Sequence, residues 1–232
     1  MNIHNTWEAE PLIFFTDLLL PASVDTEIIE DFSDPSFSDN LLLYGIPGTG
    51  KTAICSAILA SRTGSQNISA RNIYYNFKER EVRESIHGEM LSRTAHMSKL
   101  CEEDITFIFD EIDELTINQQ KEVTAFIDSM NRSKTRVTIL ATTNVDINTP
   151  LEARKLSSAL LSRFTYKQRV QPQPAASYAP LVHKKLCAAG FQMSIDDSSE
   201  FLESQFADSL VSFRDVRASV NTLIRRRQRK TS

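Results

Sequence analysis

Residues 41–52 read Leu-Leu-Leu-Tyr-Gly-Ile-Pro-Gly-Thr-Gly-Lys-Thr. A short apolar run, Leu41 to Tyr44, has the length of a buried strand and leads directly into Gly-x-x-x-x-Gly-Lys-Thr at 45–52. A helical pattern follows from Lys51 to Arg62. Glycines at this spacing let successive backbone N–H groups turn inward around phosphate oxygens, and the positive end of the following helix faces the same anion. In such a loop Lys51 reaches the β and γ phosphates of a nucleotide, and the Thr52 hydroxyl ligates Mg²⁺. Gly45, Ile46, Pro47, Gly48, Thr49, Gly50, Lys51, Thr52 and Ala53 are therefore the candidate nucleotide contacts. A glycine turn with an incidental Lys-Thr is the alternative, and the strand before it and helix after it count against that.

An independent element lies 59 residues beyond Lys51, where Ile105-Thr106-Phe107-Ile108-Phe109 ends in Asp110-Glu111. An apolar strand with acids at its C-terminal end delivers them to the crevice where α/β proteins bind ligands. Asp110 can there hold Mg²⁺ through water, and Glu111 can polarise an attacking water. Asp113 and Glu114 read as solvated or first-turn helix charges. A third apolar run, Val137 to Thr142, ends in Thr143-Asn144, which places an amide at the edge of the same crevice, able to orient the lytic water. No Asn-Lys-x-Asp follows, so nothing favours guanine over adenine.

Two more runs, Asn72 to Asn76 and Phe164 to Val170, complete a set of five strand candidates separated by segments long enough for crossover helices. The pattern predicts an α/β fold: a P-loop nucleoside triphosphatase (NTPase) with a five-stranded parallel sheet flanked by helices. Val123, Phe126, Ile127 and Met130 fall at i, i+3, i+4 and i+7, one helical stripe packed on that sheet. Glu27 to Phe32 is a short helix candidate that Asp34-Pro35 should stop. After Val170, Pro172 and Pro174 mark a linker. The remainder is helical, with no further convincing strand and a last helix from about Phe213 through Ile224. The expected organisation is an N-terminal segment at 1–40 belonging to the nucleotide-binding domain, an α/β core at 41–171, and a small helical domain with a basic C-terminal tail at 172–232.

Composition fits this reading. The 232 residues are 41% hydrophobic with only 6 Gly and 8 Pro, which excludes a disordered or fibrous chain. The run from Pro11 to Pro21 is broken by Asp17 and is too short to span a membrane, and no basic leader precedes it, so a cytoplasmic protein is expected. Cys55, Cys101 and Cys187 are widely spaced and form no ligand pairs with His4, His87, His96 or His183, as expected of reduced thiols. The net charge is −4, yet Arg225, Arg226, Arg227, Arg229 and Lys230 contribute +5, so the rest of the chain carries −9. An acidic body leaves only local basic patches for nucleic acid. The C-terminal run can contact phosphates, or simply complement a helix dipole.

Taken in order, Gly45 to Thr52, Asp110-Glu111, Asn144, Ser162-Arg163-Phe164 and Asp215-Val216-Arg217 resemble an AAA+ ATPase over about residues 17 to 224. The resemblance implies ATP and Mg²⁺ as ligands, an all-helical lid, and a homo- or hetero-oligomeric ring or arc. Asn144 then corresponds to the sensor 1 residue and Arg163 to an arginine finger acting on the neighbouring subunit's nucleotide. Arg217 corresponds to the lid's sensor 2 arginine, with Arg214 competing for that role. Taken alone, Arg163 also fits an ordinary surface arginine. Leu18 to Pro21, Asn40 to Gly45, Asn76, Ser162 and Arg217 are similar to clamp-loader small subunits. Phe109 to Asp113 and Ala159 to Phe164 also resemble protein-remodelling AAA ATPases. The loop Phe77 to Arg83 lacks the aromatic-glycine pair of processive unfoldases. The implied function is ATP hydrolysis that remodels a protein or protein–DNA assembly, with a clamp-loader-like, ATP-controlled DNA module as the alternative. Any DNA contact is expected from the AAA+ module or the basic tail.

Overall fold

The apolar runs become strands because they are long enough to cross a sheet and too short to form a buried helix. The computed structural model describes residues 20–63, 72–97, 104–132, 135–207 and 209–231. Its strands are β1 (Asn40–Tyr44), β2 (Asn72–Asn76), β3 (Ile105–Asp110), β4 (Val137–Thr143) and β5 (Tyr166–Arg169). They form one parallel sheet in the order β2-β3-β4-β1-β5. β5 starts two residues later than expected. Phe164 is buried before the strand begins, and β5, on the sheet edge, alternates half-buried with exposed residues.

Strand alternation divides the core in two. Ile73, Tyr75, Phe107, Phe109, Ile139 and Ala141 face one side, where Val123, Phe126, Ile127 and Met130 of α4 (Ile117–Met130) pack against them. Those four are the stripe the sequence predicts. Leu41, Leu43, Ile108 and Leu140 face the other side, against Ile54, Cys55 and Ile58 of α2 (Lys51–Thr63) and Ile29 and Phe32 of α1 (Thr26–Ser33). Asp34 caps α1 at the predicted stop, and the Arg62 guanidinium donates to the carbonyls of Phe32, Asp34 and Phe37, tying the connection to α2. Helix α3 (Arg80–Met97) links β2 to β3, and the short helices α5 (Pro150–Ala153) and α6 (Ser158–Leu161) link β4 to β5.

Beyond Val170 a separate apolar cluster forms from α7 (Ala179–Ala188), α8 (Ile195–Phe206) and α9 (Phe213–Thr231), with Val182, Leu186, Leu202, Val216 and Val220 at its centre. Two features differ from expectation. Gln173–Pro174, read as linker, forms strand β6, which pairs antiparallel with β7 (Leu210–Val211); Pro174 lacks an N–H, and the ladder stays two residues long. The last helix runs further than expected: α9 continues unbroken past Ile224 to Thr231, so the basic run lies at its C-terminal end. The apolar stripe stops at Ile224, but arginine is a good helix former and positive charge suits a helix C-terminus. Arg227 also stacks over Phe191, 4.4 Å from the ring centroid. Leu18, Leu19, Cys101 and His4 lie outside the described residues. Among those described, no helix is long and apolar enough to cross a membrane.

Candidate functional site

The glycine turn connects β1 to α2, and its conformation requires glycine where it meets other elements. Gly45 has φ +135, and a Cβ there would meet the Val170 carbonyl oxygen at 2.4 Å. Gly48 has φ +85, and a Cβ would lie 2.8 Å from Cβ of Arg214 on α9. The lid thus rests directly on the loop, and the Arg214 N–H donates to the Gly48 carbonyl at 3.2 Å. Ile46 is exposed, as is Pro47, whereas Thr49 is buried and its hydroxyl donates to the Ile46 carbonyl.

Lys51 crosses this turn. Its ammonium donates to the carbonyls of Gly45 at 2.7 Å and Ile46 at 2.8 Å. Burial lowers its pKa to about 8; Asp113, Asp110 and Glu111 pull it upward, and Arg214 pushes it further down. An ammonium so placed gains from any anion that enters the turn.

Asp110 ends β3, buried, and three hydroxyls from three elements converge on it. Thr52 of α2 donates to Oδ1 at 2.9 Å, Thr142 of β4 donates to the same oxygen, and Tyr74 of β2 donates to Oδ2 at 2.7 Å. Glu111 then leaves the strand in the left-handed region, φ 57 and ψ 54, which is rare for a residue with a Cβ. Its N–H donates to Thr142 Oγ1 at 3.0 Å, and its carboxylate lies 3.9 Å from the Lys78 ammonium. Glu111 lines a cavity of about 260 Å³ together with Gly48, Gly50, Lys51, Thr52 and Ala53. Thr142 and Asn144 of the β4 end line it as well, and Phe213, Arg214 and Arg217 close it from the lid. Both arginines that compete on sequence for the lid role therefore reach the same cavity.

Asp113 lies in the first turn of the short 3-10 helix Ile112–Glu114, one of the two places its sequence allows, and it has side-chain work besides. It accepts the Thr143 hydroxyl at 2.9 Å and the Asn144 N–H at 3.0 Å, so it fixes the segment that presents Asn144. His183 and Cys187, one turn apart on α7, make a hydrogen-bond contact with Nδ1 and Sγ 3.6 Å apart. Arg163 stands away from the cavity. Its guanidinium forms a two-pronged pair with Asp128 of α4, Nε to Oδ1 at 2.6 Å and Nη2 to Oδ2 at 2.8 Å, and this bond holds the Asp128 carboxyl below its usual range. Asn40 anchors the Arg163 carbonyl from β1.

Sequence reading missed Tyr74, Thr142 and Asp128. The first two carry a signal only once the strand register is known, because Tyr74, Asp110 and Thr142 share one sheet face by alternation across three strands.

A parallel sheet with a glycine turn after β1, acids after β3 and a helical lid closing on both defines a nucleotide-binding P-loop ATPase. Residues 41–172 match the sequence model of the ATPase family associated with various cellular activities (AAA), and the chain belongs to that family, whose members hydrolyse ATP. Among solved structures, domain III of the Thermotoga maritima replication initiation protein DnaA superposes with a TM-score of 0.69 at 16% identity, over 96% of this chain and 93% of that one. The Thermotoga maritima RuvB Holliday junction branch migration motor gives 0.56 at 18% identity, over 90% of this chain and 64% of that one, so the chain spans less than two thirds of its length. The FIGL-1 AAA domain in complex with ADP gives 0.55 at 19% identity, over 84% and 68%. These likenesses show the shared fold. No curated protein matches the chain in sequence.

Proposed function

We propose that the chain works as an oligomer that spends ATP to remodel a protein or protein–DNA assembly, with each site completed by a neighbouring copy. One observation carries this: the cavity gathers Lys51, Thr52, Glu111, Asn144, Arg214 and Arg217, whereas Arg163 lies outside it, on the pair with Asp128. In this reading Gly45 to Ala53 wrap the phosphates, and Lys51 leaves the Gly45 and Ile46 carbonyls for the β and γ oxygens. Glu111 takes a proton from the attacking water, Asn144 orients that water, and Arg217 senses the γ phosphate from the lid. Thr52 and Asp110 suit Mg²⁺, since both are hard oxygen donors and the carboxylate sits 2.9 Å from the hydroxyl. Bound there, the ion would neutralise charge on the β and γ phosphates. Arg163, released from Asp128, would stabilise the transition state in an adjacent subunit. Domain organisation as a core at 41–171 and a lid from 172 onward follows the same reading.

The test is a pull-down with Glu111→Gln, which should load with ATP and hold its client. ATP turnover by purified Glu111→Gln at the native rate, or the absence of magnesium-dependent hydrolysis in the native protein at any concentration, refutes the proposal.

A second reading has one observation in its favour: α9 displays Arg225, Arg226 and Arg229 exposed on a regular helix. A clamp-loader-like module in which ATP controls assembly on DNA would use such a surface for phosphates. Mobility shifts with and without ATP, repeated on Arg225→Glu/Arg226→Glu/Arg229→Glu, separate the two; ATP-dependent retention of DNA that the triple variant loses supports the DNA module.

A further inference from the structure

Tyr74 stands at the middle of β2, and the register pairs it with Ile108 while Asn76 pairs with Asp110. Two residues of strand separate its Cα from the level of the acid, about 6.6 Å. A tyrosine side chain, the longest aromatic that ends in a hydroxyl, covers that span along the sheet face, and its oxygen meets Asp110 Oδ2 at 2.7 Å. Thr52 and Thr142 both donate to the other oxygen, Oδ1. The carboxylate is therefore fixed at both ends of its plane: Oδ1 toward the glycine turn and α2, Oδ2 back toward β2. Removing the phenol oxygen would leave Oδ2 without its hydroxyl donor and let the carboxylate rotate about its last bond. A phenylalanine would fill the same space against the apolar cluster that Tyr74 borders. The hydroxyl thus adds nothing to packing that its ring does not.

We propose that Tyr74 is a positioning residue for the divalent cation: its hydroxyl sets the Asp110 carboxylate in the orientation that holds Mg²⁺ beside Thr52. This rests on the proposed role of Asp110. Outer-shell partners of this kind change metal affinity by roughly 10- to 100-fold when removed.

The experiment is calorimetric titration of the intact chain with AMPPCP, with Mg²⁺ and with EDTA, for the native protein, Tyr74→Phe, Asp110→Asn and the double variant. Tyr74→Phe is expected to cut the Mg²⁺-dependent gain in nucleotide affinity by roughly tenfold, while affinity in EDTA stays at the native value; the lost hydrogen bond to a buried carboxylate lowers the melting midpoint by a few degrees with or without the metal. In the Asp110→Asn background the further change Tyr74→Phe should have no effect. If Asp110→Asn keeps the full magnesium gain, the metal role of Asp110 fails and the inference with it. If Asp110→Asn abolishes the gain but Tyr74→Phe retains it, the inference alone is overturned. An equal loss in EDTA and in Mg²⁺ means general loosening of β2 and also overturns it.

Discussion

Lys51 is the residue whose charge most directly reports on the site. Its pKa near 8 in the free protein, against 10.5 when unburied, means that the fold bears a cost for the charged form below pH 8, a cost that lifts as pH rises toward 10.5. Phosphates restore the charged form, so binding above pH 8 takes up a proton. The dissociation constant for ATP is therefore expected to be flat below neutrality and to weaken about tenfold between pH 7 and 9. Calorimetry in buffers of different ionisation enthalpy should show proton uptake in that range, and a flat profile with no uptake contradicts the assignment. Glu111 is expected to behave differently. Glu111→Gln keeps the carboxylate's shape and should leave ATP affinity within about threefold while lowering turnover by at least ~10², measured by steady-state phosphate release.

At the scale of elements, the contact between the glycine turn and α9 is specific enough to test. Gly48→Ala places a methyl against Arg214 in a left-handed backbone and should destabilise the protein by roughly 1–3 kcal/mol, a drop of several degrees in thermal midpoint. Gly50→Ala shares the unfavourable φ of +97 but meets nothing within 4 Å. It should cost clearly less, and equal losses would mean the lid does not bear on the loop. The strands, the stripe on α4 and the glycine turn were legible in sequence because each is a local pattern: run length, helical spacing, fixed motif. The clustering of Lys51, Glu111 and Asn144 followed from placing three such patterns at the same sheet edge. What was not legible depends on register or distant packing. The Tyr74 and Thr142 hydroxyls reach Asp110 only because three strands align in one order. The Asp128 partner of Arg163 comes from a helix 35 residues away in sequence. The last turns of α9 hold no apolar stripe to announce them, only the absence of any residue that breaks a helix.

At the scale of the whole molecule, Arg163 and Glu111 belong to different sites if subunits pack head to tail. Arg163→Ala should bind ATP normally yet hydrolyse it ~10³-fold more slowly. Mixing equal amounts of Arg163→Ala and Glu111→Gln should restore activity, because about a quarter of randomly formed interfaces would then join an intact Glu111 to an intact Arg163. Phosphate release from the mixture that merely averages the two variants excludes a shared site. The backbone bond from Arg214 to the Gly48 carbonyl has a mechanical consequence. It clamps one end of a 19-residue rod, about 27 Å long, to the phosphate turn. Pivoting that rod by about 10° at Phe213 would carry Arg229, about 24 Å away, through about 4 Å, so a small rearrangement at the turn becomes a stroke at the periphery.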